Sequence, residues 1–240
     1  MSKRFTTLLA TSLAALLHTS FSIAAPNVAL HDSLLKVAPQ LNQQVLSHAL
    51  DAVQCASLQG SSNSADRLAV IDFSLPSSEK RLWIFDLKQR QLLLHDFVAH
   101  GAKSGENHAS NFSNINGSHQ SSIGLFRSSE SYRGKHGYSL RMDGLEPGFN
   151  DLARERAIVI HGADYVNPAW INSQGRIGRS QGCPAVRPEI TKKVVDSLKD
   201  GQLVFTWYPD PEWLANSTFL NCPGPRLADR AGKARHAGDS

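Results

Sequence analysis

Residues 158–162 read Ile158-Val159-Ile160-His161-Gly162, and residues 178–185 read Gly178-Arg179-Ser180-Gln181-Gly182-Cys183-Pro184-Ala185. The first is a β-branched run ending in an imidazole, the composition of a buried strand. The second is a glycine-punctuated loop carrying a thiol. Together they suit nucleophilic catalysis. A thiol is potent as thiolate, and a neighbouring imidazole takes its proton. A strand end holds the ring rigidly, and Gly182 lets the backbone pass close to a substrate. The amides of Gly182 and Cys183 are then candidates to face a developing oxyanion. Each piece alone has a plainer reading: a lone Cys as a small buried hydrophobe, a strand-end His as a satisfied polar group, Arg176 and Arg179 as solvated loop charges.

Working outward, the chain has 240 residues, 41% of them hydrophobic and 19% charged, enough for one domain with an appended segment and a sizeable core. The net charge is +4, with Lys and Arg dispersed along the chain, which argues against a nucleic-acid binder. Residues 1–24 read as a signal peptide. Lys3 and Arg4 form the basic start, Phe5 to Leu17 the apolar stretch, and Ser22-Ile23-Ala24 the cleavage site. The mature chain then starts near Ala25, and losing Lys3 and Arg4 takes its charge from +4 to +2. No later run reaches the roughly 20 apolar residues of a membrane span. The expected location is the periplasm or cell envelope.

Export gives meaning to the cysteines, which are Cys55, Cys183 and Cys222. In an oxidising compartment an odd count leaves a free thiol or an intermolecular bridge. A Cys55–Cys222 bridge would clip a Pro/Gly-rich tail to the body and leave Cys183 free. Sequence alone does not fix that connectivity.

Residues 25–66 read as an N-terminal helical segment. Leu34, Ala38, Leu41, Val45, Ala49, Val53 and Ala56 recur at helical spacing, with Cys55 off that stripe. Pro39 is expected to break the segment, standing in the first turn of a second helix. Strands are expected at 68–73, 81–87, 91–99, 122–126, 138–142, 157–160 and 203–208, with a long polar loop over 101–122. Pro188 to Leu198 reads as a helix with Ile190, Val194, Val195 and Leu198 on one face. The expected fold class is α+β and strand-dominated, with a disordered tail over 221–240.

A strand ending in His-Gly, then a Gly-Arg-Ser-Gln-Gly-Cys-Pro-Ala-Val loop, resembles the L,D-transpeptidase catalytic domain family of the YkuD-type fold, in its murein-directed branch. Ser180, Gly182 and Cys183 match the usual Ser/Thr-His-Gly-Cys signature, and Gln181 stands where that signature carries His. The resemblance runs from about Arg67 to Tyr208. It takes in Val98-Ala99-His100-Gly101, Ser104-Gly105, Phe112-Ser113-Asn114, Ser121-Ser122-Ile123-Gly124 and Lys135-His136-Gly137-Tyr138-Ser139-Leu140. It implies a YkuD-like mixed sheet or sandwich over residues 67–220, preceded by the helical segment.

The resemblance also implies acyl transfer on peptidoglycan stem peptides, with no cofactor and no metal. Cys183 would attack the carbonyl on the L-centre of diaminopimelate before a terminal D-Ala, with His161 as base and then acid. Amine or water would resolve the thioester. Arg179 is the candidate for lowering the Cys183 pKa or holding a substrate carboxylate, and Arg187 competes with it. Ser180, Gly162, His100 and His136 are further candidates to line the substrate site, against a reading of both histidines as loop polarity. Asp164, Ser180 and a backbone carbonyl are all open as the group orienting His161.

Other readings stand beside this one. A peptidoglycan L,D-carboxypeptidase or endopeptidase shares the first half-reaction, and a catalytically silent wall-binding module keeps the cleft without turnover. Sortases also run His, Cys, Arg, but the Thr-Leu-x-Thr-Cys motif is missing. Papain-like peptidases place Cys before His. A zinc amidase or carboxypeptidase lacks support, because neither His-Glu-x-x-His nor paired-Cys spacing occurs. The residues do not speak to oligomeric state or to the acyl acceptor.

Overall fold

The computed structural model describes residues 26–61 and 65–223. The signal-peptide reading of residues 1–24 and most of the tail lie outside the described residues. Two helices come first, α1 (Pro26–Val37) and α2 (Gln43–Leu58). The strands are β1 (Arg67–Asp72), β2 (Leu82–Asp86), β3 (Gln91–Asp96), β4 (Gly124–Gly134), β5 (Gly137–Gly144), β6 (Val159–Gly162), β7 (Ala185–Val186) and β8 (Leu203–Trp207). Helices α3 (Ala169–Gln174), α4 (Pro188–Leu198) and α5 (Pro211–Asn216) complete the order.

All eight strands join one mixed sheet in the order β3-β2-β1-β8-β4-β5-β6-β7. The pairs β1–β8 and β6–β7 are parallel, and the others antiparallel. Both faces of its centre are buried, which is why β1, β2 and β8 read as continuous apolar runs and not as alternating ones. Leu68, Val70, Phe205 and Trp207 pack with Leu46, Ala49 and Leu50 of α2 on one face. Ala69, Ile71, Val204 and Ile160 pack with Val194, Val195 and Leu198 of α4 on the other. The mixed α+β architecture expected from the sequence is therefore present, with the N-terminal helices sharing the sheet's core.

Several local expectations are corrected. The second helix starts at Gln43, because the Asn42 carboxamide accepts hydrogen bonds from the amides of Gln44 (2.8 Å) and Val45 (3.4 Å) and caps it. Pro39 therefore lies in the turn before the helix. Cys55 is 1% exposed and belongs to the core. It is disulfide-bonded to Cys222, the pairing that the sequence had left open, and Cys183 is free. Strand β4 runs to Gly134, well past the apolar run that ends at Phe126, because its polar half is paired with β5 as a ribbon. Helices α3 and α5 were not expected. Both are short, and α5 is started by an Asp210 cap on the Trp213 amide at 2.8 Å.

The sheet curls enough for its ends to approach one another. Beyond β3 the chain bridges from Ala99 to Ala185 of β7, and from Gly101 to Ser180. That closure places the long 101–122 loop against the cysteine loop, beside the tip of the β4–β5 ribbon.

Candidate active site

His161 sits on β6 between two partners, opposite Ser139 of β5 and Ala185 of β7. The β-branched Ile158-Val159-Ile160 run favours that strand, and the ring is buried, 3% exposed. Its Nδ1 lies 2.9 Å from the Gly162 carbonyl oxygen. A carbonyl only accepts, so the proton of the neutral ring sits on Nδ1 and Nε2 keeps its lone pair. Of the three groups open to orient the ring, the structure uses a backbone carbonyl. Asp164 and Ser180 are not bonded to it.

The cysteine loop is wired from several sides. Ser180 Oγ donates to the Cys183 carbonyl at 2.6 Å and accepts from the Gly182 amide at 3.0 Å. Its backbone exchanges bonds with His100 O (2.9 Å) and the Ala102 amide (2.8 Å). Ser121 Oγ donates to Gly182 O at 3.0 Å. Gly182 has φ +121°, and a Cβ there would stand 2.8 Å from Gln120 O, so a side chain is excluded twice over. One consequence corrects the expected oxyanion pair. The Gly182 amide is committed to Ser180, whereas the Cys183 amide has no partner among the described residues.

Cys183 and His161 open into one cleft of about 510 Å³. The thiol is half-buried, and Sγ lies 3.7 Å from the Ala157 carbonyl. His136, Arg156, Tyr165 and Arg179 also line the cleft. Arg179 Nη1 bonds to Glu106 (2.7 Å) and to the carbonyls of Gly105 (2.9 Å) and Ala102 (3.2 Å). Ser180, with its hydroxyl used inside the loop, acts on the backbone. Gly162 lines a neighbouring groove, and a Cβ on it would come within 2.3 Å of Thr191 Oγ1.

Two expected site residues lie elsewhere. His100 is fully buried; its Nδ1 accepts from Arg81 at 2.6 Å and its Nε2 donates to Gly105 O at 3.2 Å. Burial and the Arg81 charge push its pKa down to about 4. Arg187 makes a two-pronged pair with the buried Asp96 and stands outside the cleft. Both sit next to motif glycines or the cysteine loop in sequence, and the packing turns them away.

The guanidinium that faces the thiol is Arg156, which the sequence reading passed over. It is held by Gln120 O (2.7 Å), Ser118 Oγ (3.2 Å), Ser113 O and Ser122 Oγ. Burial pushes the Cys183 thiol up, and the Val159 amide and Arg156 pull it back. Burial, with the neighbouring His136, holds His161 below the usual histidine range. Both directions favour a neutral thiol and neutral imidazole at rest. Arg156 occurs in an Arg154-Glu155-Arg156 run that reads as solvated charge, so no local signal marks it. Among the described residues no cluster of His, Cys, Asp and Glu is arranged to hold a metal ion.

The family model of the L,D-transpeptidase catalytic domain matches residues 37–207. The chain belongs to the YkuD-type L,D-transpeptidase catalytic domain family. No curated protein matches it. Among solved structures it is similar to an L,D-transpeptidase from Mycobacterium smegmatis, at 14% identity and TM-score 0.38, over 60% of each chain. It is also similar to an L,D-transpeptidase from Stackebrandtia nassauensis, at 13% identity and TM-score 0.37, over 77% of this chain and 92% of that one. The chain thus spans less than two thirds of the mycobacterial protein. No helix among the described residues is long and apolar enough to cross a membrane.

Proposed function

We propose that this member of the family is a peptidoglycan L,D-transpeptidase in which Cys183 is the nucleophile and His161 the acid–base group. The observation that carries the reading is the shared cleft: the free thiol and a ring whose Nε2 lone pair is left open by the Nδ1 bond to Gly162 O. With both groups neutral at rest, proton transfer accompanies attack. His161 Nε2 takes the thiol proton as Sγ bonds to the carbonyl carbon on the L-centre of diaminopimelate. The unpartnered Cys183 amide donates to the tetrahedral oxyanion. Collapse breaks the bond to D-Ala, whose nitrogen takes the proton back from His161, and a thioester remains. An acceptor amine then attacks, losing a proton to His161, and the thiolate leaves and is reprotonated. Water in place of the amine gives the carboxypeptidase outcome.

The same reading extends to the chain's organisation: residues 1–24 direct export, 25–66 form the helical segment, 67–220 carry the chemistry, and 221–240 form the tail. The Cys55–Cys222 bridge supports an oxidising compartment.

The decisive experiment incubates purified protein with disaccharide-tetrapeptide and identifies products by mass. Release of D-Ala, lost in Cys183→Ser with the fold intact by circular dichroism, is expected. A carbapenem should leave a covalent adduct on Cys183. D-Ala release that survives Cys183→Ser refutes the nucleophile assignment, and no release with no adduct favours the silent wall-binding module.

A further inference from the structure

The stretch Ser121-Ser122-Ile123-Gly124 has no task in the proposed chemistry, yet Ser121 reaches the cysteine loop. Ser121 is buried, and its hydroxyl stands between two glycine backbones. The Gly101 amide donates to Ser121 Oγ at 3.0 Å, and Oγ donates to the Gly182 carbonyl at 3.0 Å. An amide only donates and a carbonyl only accepts, so the direction of the hydroxyl proton is fixed. The backbones are close: a Cβ on Gly101 would meet Gly182 Cα at 3.0 Å. Bonds other than the hydroxyl's hold the segment itself. The Ser121 amide donates to Ser104 Oγ (2.9 Å), and its carbonyl accepts from the Ser113 amide (3.0 Å). On either side, Arg156 bonds to Gln120 O and Ser122 Oγ.

We infer that Ser121 is a positioning residue for the oxyanion donor: its hydroxyl locks the Gly182–Cys183 peptide plane, so that the Cys183 N–H stays aimed at the reacting carbonyl oxygen. The inference deepens the proposed function and rests on it. No peptide bond among the described residues is cis, so the Gly182 carbonyl and the Cys183 N–H leave opposite edges of one rigid plane. A bond that fixes one edge fixes the other. The lock matters because Gly182 stands at φ +121°, and a glycine has other basins into which this plane could turn. Ser180 does not supply it. That hydroxyl takes the Gly182 amide and the Cys183 carbonyl, which belong to the peptide planes before and after. Ser121 alone is bonded to the plane between them among the described residues. The bonds also form a chain from the Gly101 N–H through the Ser121 hydroxyl to the Gly182 carbonyl. Links in such a chain polarise one another, which strengthens the Cys183 N–H as a donor. In the attack, Sγ bonds to the carbonyl carbon and the carbonyl π pair moves onto oxygen. An N–H already in place receives that charge without reorganisation.

The test compares two kinds of reaction at Cys183 in the purified full chain. Acylation by imipenem and D-Ala release from disaccharide-tetrapeptide pass through an oxyanion. Alkylation by iodoacetamide, read by mass on the peptide containing Cys183, displaces iodide at a saturated carbon and forms none. In Ser121→Ala both oxyanion reactions are expected to slow by at least about tenfold, less than the roughly 10²–10³ lost with a donor itself. Alkylation at the same pH should stay within about twofold of native, which a loop that had merely collapsed would not allow. The carbonyl stretch of the imipenem thioester should move to higher wavenumber as its donor slackens. If Ser121→Ala does not fold by circular dichroism, Ser121→Cys, of similar size with a weaker donor, is judged by the same ratio. A native ratio of acylation to alkylation in the folded variant overturns the inference, whether both rates fall or neither does. So does an unshifted carbonyl stretch. Neither imipenem adduct nor D-Ala release in the native protein would instead strike the proposed function, and this inference would fall with it.

Discussion

The imidazole of His136 lies on that of His161, with ring centroids 4.5 Å apart and planes 32° from parallel. His136 stands in the two-residue tip of the β4–β5 ribbon, between Gly134 and Gly137. The ribbon therefore delivers a second imidazole to the face of the first. When both rings carry protons their charges repel, and together with burial this favours neutral His161.

That relationship makes a pH prediction. His161 must be neutral to accept the thiol proton, so kcat/KM falls as pH drops through its pKa. In His136→Phe a ring remains to stack but its charge is gone, so the acid limb should move to higher pH with little change on the plateau. His136→Ala should move the limb likewise and also lower the plateau, because His161 loses its support. Lys135, Arg156 and Cys183 line the same cleft and are unchanged in both variants. Identical acid limbs in native protein and both variants would reject the coupling.

Arg156 offers a separation of charge from scaffolding. Arg156→Met should move the midpoint of Cys183 alkylation by iodoacetamide to higher pH, because the thiolate loses its cation. It also removes loop hydrogen bonds, each of about 1 kcal/mol net, and should lower the melting temperature. Arg156→Lys keeps the charge and loses the fork, so its midpoint should stay near the native one while stability drops. A native-like midpoint in the methionine variant would show that the thiol does not sense this guanidinium.

His100 predicts a stability effect away from catalysis. Its folded pKa, about 4, lies below the ordinary histidine value, so between roughly pH 6.5 and 4 the unfolded chain binds the extra proton. The stability it contributes is full above that window and is lost as pH falls through it, by at most about 3 kcal/mol. Denaturant unfolding across this range should show the decline, and His100→Gln should flatten that part of the profile whatever its absolute stability. An unaltered slope in the variant would assign the decline to other groups.

The Cys55–Cys222 bridge closes a separation of 167 residues. In the chain-entropy account a loop of that length stabilises by up to about 5 kcal/mol, with about 2–5 kcal/mol typical of native bridges. Cys55→Ser/Cys222→Ser should therefore melt at lower temperature while still giving the Cys183 adduct, since the site lies on other elements. Loss of the adduct in a folded double variant would tie the bridge to the cleft.

Much of the fold was legible because its signals are local. Pro188 and the Ile190, Val194, Val195, Leu198 face mark α4 to the residue, and the apolar runs at β1 and β8 mark strands buried on both faces. The polar half of β4 was not legible, since only pairing with β5 makes it a strand. Nor was the Asn42 cap, which competes with Pro39 as the signal for where α2 starts.

The sequence by itself determined the candidate reagents: an imidazole at the end of an apolar strand, an odd number of cysteines, and a glycine-punctuated loop around one of them. Only the tertiary structure decided which neighbours those reagents have. The curl of the sheet brings Arg156 to the thiol and His136 to His161, while it buries His100 and ties Arg187 to Asp96. The physical reason is range. Strand and helix signals are written in neighbouring residues, whereas the field around a thiol is set by groups that meet only after the two ends of the sheet close on each other.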